Sequence, residues 1–185
     1  VKAAIENEQH AQGATTYDAE GNVTTDETEI AHYELAPDMD YAYMVATGEA
    51  TADTGSVSLD FQPIVTAVRV QLVLPTSGVD SNGNTASAQP TRLFSVRLSG
   101  EGIVGEYTAN LSQYEEGYPT INNGTAAADQ SITMLVIGKD GLPITLKPGQ
   151  SLAFTVFVRP GDDIDASTLT VSFSTDGLNY KSKGI

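Results

Sequence analysis

The chain of 185 residues contains no cysteine and no tryptophan. The absence of cysteine excludes disulfide bonds, thiolate metal sites and a cysteine nucleophile. It does not identify the compartment, because cytosolic proteins and bacterial surface proteins that depend on their core both do without disulfides. A single domain of this length buries enough surface to fold without such a cross-link.

Cationic residues are scarce. The chain has 9 Lys and Arg against 24 Asp and Glu, a formal net charge of −15. Between Ala3 and Val68 there is no Lys or Arg at all. Such a field repels phosphate backbones, so nucleic-acid binding is not expected. The acidic surface is interpreted as a solvated one, with a cation-binding or partner-docking face as the alternative.

Long hydrophobic runs are also missing. No segment approaches the roughly 18–20 apolar residues that a membrane-spanning helix needs, so no membrane span is expected. The chain begins at Val1 without a Met start, a basic region or the apolar core of a signal peptide. Val1 is therefore expected to begin a mature or trimmed chain.

What the chain does contain is a repeated alternation of apolar and polar residues. In Val57–Phe61 every second residue is apolar, and in Val65–Leu74 residues Val68, Val70 and Leu72 share one face. A period of two is typical of a strand with one wet face. No long helical period competes with it, so the fold class is predicted to be all-β.

The expected strands are short and separated by turns such as KPGQ at 147–150 and TDG at 175–177. They are Ile30–Leu35, Tyr41–Ala50, Val57–Phe61, Val65–Leu74, Arg92–Ser99, Ile103–Leu111, Ser131–Ile137, Leu142–Leu146, Ser151–Val158, Thr168–Ser174 and Leu178–Lys181. Two long loops are expected at Pro75–Pro90 and Ser112–Gln130, and Arg92–Ser99 is expected to form a hairpin with Ile103–Leu111. Residues 1–185 are predicted to be one β-sandwich domain, with a polar N-terminal segment at 1–29 and the sandwich itself at 30–185.

Catalytic groups are not concentrated anywhere in the sequence. His10 and His32 are the only histidines, and neither lies in a zinc-binding or metalloprotease spacing. There is no nucleophile-elbow motif, although a Ser-His-Asp triad is defined in space and not in sequence. The chain is predicted not to be an enzyme, with no catalytic residue and no cofactor.

Pairs of carboxylates occur at Asp26/Glu27, Glu115/Glu116 and Asp162/Asp163. A glycosidase needs two carboxyl groups that face each other across a cleft. Adjacent residues of an extended chain point to opposite sides, and no tryptophan is present as a sugar platform. These pairs are therefore interpreted as exposed loop residues.

An acidic segment resembles a calcium loop in its spacing only. Asp18, Glu20, Asn22, Asp26 and Glu29 occupy oxygen-ligand positions of an EF-hand loop. Val23 stands where that loop needs glycine, and no helices flank it. Asp80–Asn84 and Asp162–Asp165 are two further acidic segments considered as calcium loops. An exposed acidic hairpin is the preferred interpretation at each place, so no metal ligand is assigned.

Two strand motifs carry a family resemblance. DYAYMVA at Asp40–Ala46, followed by VSLDFQPIVTAVRVQL at Val57–Leu72, resembles the fimbrillin-like proteins of Bacteroidetes, which include the major and minor fimbrillins and the Mfa-like group. Arg92–Gly100 and Leu146–Pro160 are similar to later strands of that family. The resemblance covers roughly 30–185 and consists of strand patterns.

The resemblance implies a transthyretin-like antiparallel β-sandwich with Greek-key-type connections, exported as a lipoprotein precursor. It implies a subunit that is trimmed at its N terminus and then assembles by donating a β-strand to a neighbour's open groove. The family's usual chain continues into a second β-sandwich. The stop at Ile185 is expected to reflect an isolated domain, a trimmed product or a short variant.

The expected function is therefore a structural subunit of a cell-surface fimbria or pilus, as stalk, anchor or tip, on the bacterial outer-membrane surface. Its expected partners are other fimbrial subunits and a host or bacterial receptor. The alternative is a secreted β-sandwich that binds carbohydrate or calcium, with Tyr114, Tyr118 and the segment Ser112–Gln130 as the candidate sugar site. A replaceable edge strand distinguishes the first from the second.

Overall fold

The computed structural model describes residues 1–48, 57–79, 82–115, 118–138, 140–161, 164 and 166–184. These residues form β-strands and two single-turn 3-10 helices, Met39–Tyr41 and Ala166–Thr168, with no α-helix among them. The prediction of an all-β protein is confirmed. Within the same ranges, no helix has the length and apolar character needed to cross a membrane.

Several residues of the sequence analysis lie outside the described ranges. They are Ala50, Asp80, Ser81, Glu116, Asp162, Asp163, Asp165 and Ile185.

The strands are numbered in chain order. They are β1 (Lys2–Ile5), β2 (Glu8–Gln9), β3 (Ala14–Tyr17), β4 (His32–Leu35), β5 (Met44–Thr47), β6 (Asp60–Pro63), β7 (Thr66–Val73), β8 (Ser77–Val79), β9 (Thr85–Ser87), β10 (Thr91–Arg92), β11 (Ser95–Ser99), β12 (Gly105–Glu115), β13 (Tyr118–Ala126), β14 (Ser131–Leu135), β15 (Thr145–Leu146), β16 (Ser151–Val158), β17 (Thr170–Ser174) and β18 (Tyr180–Gly184).

Two larger sheets form the sandwich. The first has five strands in the order β18-β17-β11-β14-β2, and the second has four in the order β3-β4-β16-β7. Most neighbours are antiparallel, as expected, but β14 with β2 and β4 with β16 are parallel pairs. The longest pairing joins β16 to β7 over eight residue pairs, from Ser151↔Val73 to Val158↔Thr66.

One hydrophobic core lies between the sheets. Leu98 and Met134 from the five-stranded sheet and Leu35 and Phe154 from the four-stranded sheet are buried in one contact cluster. The run SLAFTVFV of β16 is buried along nearly its whole length, which fits a strand with neighbours on both sides. The aligned packing of two such faces is the stable arrangement for half-apolar strands.

The segment Ser112–Gln130, expected to be a loop, instead contains most of a long hairpin. β12 and β13 pair antiparallel, and β1 adds to the other side of β12. Their side chains are largely exposed, so the apolar alternation that marks a strand is weak there. The expected hairpin between Arg92–Ser99 and Ile103–Leu111 is wrong, because β11 pairs with β14 and β17.

The other expected loop, Pro75–Pro90, contains the short hairpin of β8 and β9, all of whose described residues are exposed. At the N terminus, the segment 1–29 does not stand apart from the sandwich. β2 belongs to the five-stranded sheet and β3 to the four-stranded sheet. The polar composition of this segment reflects edge strands with little buried surface.

Candidate functional site

A groove opens along one side of the sandwich, where the two sheets end. β7 is the last strand of the four-stranded sheet and β18 the last strand of the five-stranded sheet. Among the described strands, neither has a partner on its outer edge. Each edge therefore presents backbone N–H and C=O groups that an added strand could pair with.

The groove has a volume of about 700 Å³ and a mostly apolar lining. Val68, Val70 and Leu72 of β7 supply one wall, in agreement with the predicted face of that strand. Val171 and Phe173 of β17 supply the opposite wall. Leu93, Leu146 and Leu169 complete the apolar surface. These side chains of β7 are only half buried, so the core of the sandwich is not closed on this side.

The residues of β7 that point the other way have different contacts. The Arg69 Nε donates to Glu34 Oε1 at 3.0 Å, which crosses from β7 to β4 over the outer face of the sheet. The hydrogen bond from Arg69 lowers the pKa of Glu34 against the opposing effect of burial. Val73 on the same face is 62% exposed. The two faces of β7 therefore differ clearly in polarity.

β18 supplies a cation to the groove. Lys181 lies opposite Phe173 in the β17–β18 register and lines the groove. Within the described part of the chain its ammonium group makes no ion pair. A free cation on the rim of an apolar groove favours an incoming segment that carries a carboxylate.

The side chain of Tyr180 anchors β18 to the sheet from the other face. The Arg97 guanidinium carbon lies 3.9 Å from the centre of the Tyr180 ring. The Tyr180 hydroxyl and Ser95 Oγ form a hydrogen bond of 2.8 Å. Both partners are on β11, so Tyr180 reaches across β17 and fixes the position of the groove's edge.

His32 lies in a hydrogen-bonded cluster on the outer face of the four-stranded sheet. Its Nδ1 is 2.9 Å from Ser151 Oγ, and its Nε2 is 3.7 Å from Glu34 Oε2. Gln71 Nε2 donates to the same Ser151 oxygen at 3.1 Å. Sequence reasoning missed Ser151, because a serine within an apolar strand carries no signal of such a contact.

This Ser-His-Glu arrangement lacks the other parts of a hydrolytic site. A nucleophilic serine needs donors placed to stabilise an oxyanion. The Ser151 backbone N–H instead donates to the Ala31 carbonyl at 3.1 Å. The 3.7 Å separation from Glu34 is too long for a hydrogen bond that orients the imidazole. The cluster connects strands β4, β7 and β16.

His10 is not part of this cluster. Its ring is exposed, with Nε2 3.9 Å from Glu8 Oε1, and its backbone N–H donates to Asp38 Oδ2 at 2.7 Å.

Of the three carboxylate pairs, only Asp26/Glu27 is described in full. Asp26 Oδ1 accepts hydrogen bonds from both the backbone N–H and the hydroxyl of Thr28. The other two pairs, Glu115/Glu116 and Asp162/Asp163, give no carboxylate geometry, because Glu116, Asp162 and Asp163 lie outside the described ranges.

The acidic N-terminal hairpin uses its oxygens within the turn. Asp18 accepts from the backbone and side-chain nitrogens of Asn22 at 2.7 and 3.1 Å. These hydrogen bonds, led by the one from the Asn22 side chain, lower the pKa of Asp18. Thr24 Oγ1 donates to Glu29 Oε2 at 3.2 Å. Among the described residues, no three acidic or His side chains are grouped so that they could hold a metal.

The segment expected to hold a sugar site, Ser112–Gln130, contributes Ser112 and Asn122 to one open cavity and Thr125, Ala126 and Ala127 to another. Tyr118 lies on β13 and is 53% exposed. The structure describes the backbone of Tyr114 but not its side chain. Tyr118 does not line these cavities or the groove.

Comparison with protein-family models, with curated proteins and with solved structures finds no match to this chain.

Proposed function

We propose that the chain is a structural subunit of a cell-surface fimbria or pilus, and that subunits assemble by inserting a β-strand of one copy into the groove between β7 and β18 of the next. The observation that carries the proposal is the pair of free strand edges on either side of an apolar groove. An added strand would satisfy the backbone groups of both rims and cover Val68, Val70 and Leu72.

The family resemblance supports the same function. Its motifs Asp40–Ala46 and Val57–Leu72 overlap β5, β6 and β7, and β7 is a wall of the groove. The transthyretin-like topology, the outer-membrane location and the role as stalk, anchor or tip belong to this proposal. No catalytic residue, cofactor or metal is required by it.

Charge favours a second copy of this chain as the donor. The rim carries the unpaired Lys181, whereas the chain as a whole has a formal net charge of −15. Segments of a second copy are therefore rich in carboxylates that could lie against this cation. A donor strand with alternating apolar and acidic residues would place the apolar side chains in the groove and hydrated ones outside.

The test compares two substitutions on one strand. Leu72→Asp places a carboxylate in the groove, and Ala67→Asp places the same group on the opposite, exposed face of β7, at a residue that does not line the groove. Light scattering and electron microscopy of the matured protein over a range of concentrations would follow assembly, with circular dichroism to verify the fold. We expect ladders or filaments from the wild type and Ala67→Asp, and folded monomers from Leu72→Asp.

Two results would overturn the proposal. One is a strictly monomeric wild type after correct maturation, at every concentration and also when other fimbrial subunits are added. The other is a Leu72→Asp variant that assembles as well as the Ala67→Asp control.

A further inference from the structure

A second cavity lies at the opposite end of the four-stranded sheet. β3 and β7 are the two outer strands of that sheet. The cavity borders β3 and β4, whereas the groove borders β7 at the other edge. It has a volume of about 690 Å³ and is completed by β10, β15 and the segment that precedes β15. This volume is in the range of cavities that bind small molecules.

The floor of this cavity is apolar and its rim is charged with both signs. Ala14 and Ile144 are buried at its base, and the half-buried ring of Tyr33 lines one side. The exposed residues at the rim are Glu27, Asp140, Arg92 and Lys147. The cavity therefore offers an apolar surface together with donors and acceptors of hydrogen bonds.

Three of the ionisable groups at this cavity have no partner in the described part of the chain. The Tyr33 hydroxyl, the Glu27 carboxylate and the Arg92 guanidinium make no hydrogen bond or ion pair with the described residues. The remaining charged groups are engaged: Asp140 Oδ1 accepts from the Leu142 backbone at 3.0 Å, and Lys147 Nζ donates to the Glu27 carbonyl at 3.3 Å. A cleft with several unpaired polar groups is suited to a ligand that pairs with them.

Burial raises the pKa of Tyr33, and the negative charge of Glu27 adds to the shift. A phenol hydroxyl can donate as well as accept a hydrogen bond.

The mixture of signs limits the class of ligand. A simple cation would leave Arg92 without a partner, and a simple anion would leave Glu27 without one. A hydroxyl group both donates and accepts, so a polyhydroxylated ligand can bond to a carboxylate, a guanidinium and a phenol together. Charge-assisted hydrogen bonds of this kind are stronger than neutral ones.

We infer that this cavity, beside Tyr33, Glu27 and Arg92, binds a neutral saccharide of one or two pyranose units. The hydroxyl groups of the sugar bond to the three unpaired side chains, and its C–H face covers the apolar floor at Ala14 and Ile144. The inference goes beyond the proposed assembly, because the cavity and the groove are at opposite edges of one sheet. It also differs from the sugar site expected at Ser112–Gln130, since no residue of that segment lines the cavity.

The test begins with a glycan array probed with the fluorescently labelled intact chain, followed by calorimetric titration with the methyl glycoside of the best neutral sugar. Tyr33→Phe removes only the hydroxyl, and Arg92→Gln removes the charge. We expect each substitution to weaken binding at least tenfold. Tyr118→Phe, the same chemical change at an exposed site, and Lys181→Gln, in the groove, should leave binding within twofold of the wild type.

Failure of this inference is distinguishable from failure of the assembly proposal, because filament formation is measured separately and does not involve Tyr33. Binding of no neutral glycan by the wild type would overturn it. So would binding restricted to charged or zwitterionic compounds, or equal affinity in Tyr33→Phe, Arg92→Gln and the two controls.

Discussion

At the scale of single residues, the side chain of Gln9 forms hydrogen bonds with backbone groups of β16 at a point that β4 does not reach. β4 pairs with β16 only from Ser151 to Phe154. Beyond that point, Gln9 Nε2 donates to the Phe157 carbonyl at 2.6 Å and the Phe157 N–H donates to Gln9 Oε1 at 3.0 Å. The amide of a fully buried side chain thus takes the place of a backbone amide.

Gln9→Leu tests this role with little change in volume. It leaves the N–H and the C=O of Phe157 buried without partners, so we expect the free energy of unfolding to fall by about 3 kcal/mol. Gln89→Leu, at an exposed glutamine, should change it by less than about 0.5 kcal/mol. Urea unfolding of both variants measures the difference, and a loss below about 1 kcal/mol for Gln9→Leu would contradict the assignment.

Asp176 organises the turn between β17 and β18. Its carboxylate accepts hydrogen bonds from the backbone N–H of Leu178 at 2.9 Å and of Asn179 at 2.8 Å, and from Asn179 Nδ2 at 2.7 Å. These bonds, led by the backbone N–H of Asn179, hold the pKa of Asp176 far below its ordinary value. The Thr-Asp-Gly turn itself was predicted from the sequence, and Gly177 there adopts a positive φ of 79°.

The lowered pKa fixes the direction of a pH dependence. In the unfolded chain Asp176 should titrate near pH 4, so its contribution to stability is complete above that pH and is lost as the pH falls toward the lower pKa of the folded state. We therefore expect the melting temperatures of the wild type and Asp176→Ala to differ most at pH 5–7 and to converge toward pH 2. A difference that stays constant over this range would contradict the proposed role of the carboxylate.

At the scale of elements, the stability of β18 decides whether the groove has a fixed second rim. β18 pairs only with β17 among the described strands, so its backbone hydrogen bonds join it to a single neighbour at the edge of the sheet. The contacts of Tyr180 with Arg97 and Ser95 add a link to β11. Edge strands without such links open locally more often than central ones.

Tyr180→Ala removes the aromatic contact and the hydrogen bond together. We expect local opening of β18 to become easier by about 2 kcal/mol, and its amides to exchange with deuterium roughly tenfold or more faster. The amides of β16 should be much less affected. Leu178→Ala, at a side chain that is 84% exposed, is the control. Equal exchange rates of β18 in the two variants would show that the backbone pairing alone holds the strand.

The elements differ in how well they could be predicted. β7 and β16 were recognised because alternation or a continuous apolar run follows directly from burial on one face or on two. β13 was missed and β12 was expected only as far as Leu111, because the rest of this hairpin depends on backbone hydrogen bonds while most of its described side chains face solvent. The contacts of Gln9 and Ser151 involve residues distant in sequence, so no local sequence pattern predicts them.

At the scale of the whole molecule, the buried residues form one cluster that joins both larger sheets and the sheet of β1, β12 and β13. Ile5 of β1 and Tyr107 of β12 belong to it along with Phe154 of β16. The Tyr107 ring packs edge-on against that of Tyr43, with ring centroids 6.5 Å apart, and burial raises the pKa of Tyr107. No described sheet therefore has a core of its own.

A shared core predicts cooperative unfolding. We expect a single calorimetric transition in which the calorimetric and van't Hoff enthalpies agree, because no part of the cluster can lose its packing alone. Two resolved transitions, or a van't Hoff enthalpy well below the calorimetric one, would contradict it. Measurement at concentrations where the protein is monomeric separates unfolding from dissociation of an assembly.

Composition and periodicity by themselves determined the strand-based fold, the face of β7 that carries Val68, Val70 and Leu72, and several turns, because each of these depends on neighbours along the chain. The tertiary structure alone decided which strands lie side by side, that β7 and β18 leave a groove open between them, and that Tyr33, Glu27 and Arg92 share a cavity. These arrangements depend on pairings between residues far apart in sequence, and a single chain's local pattern is compatible with many such pairings.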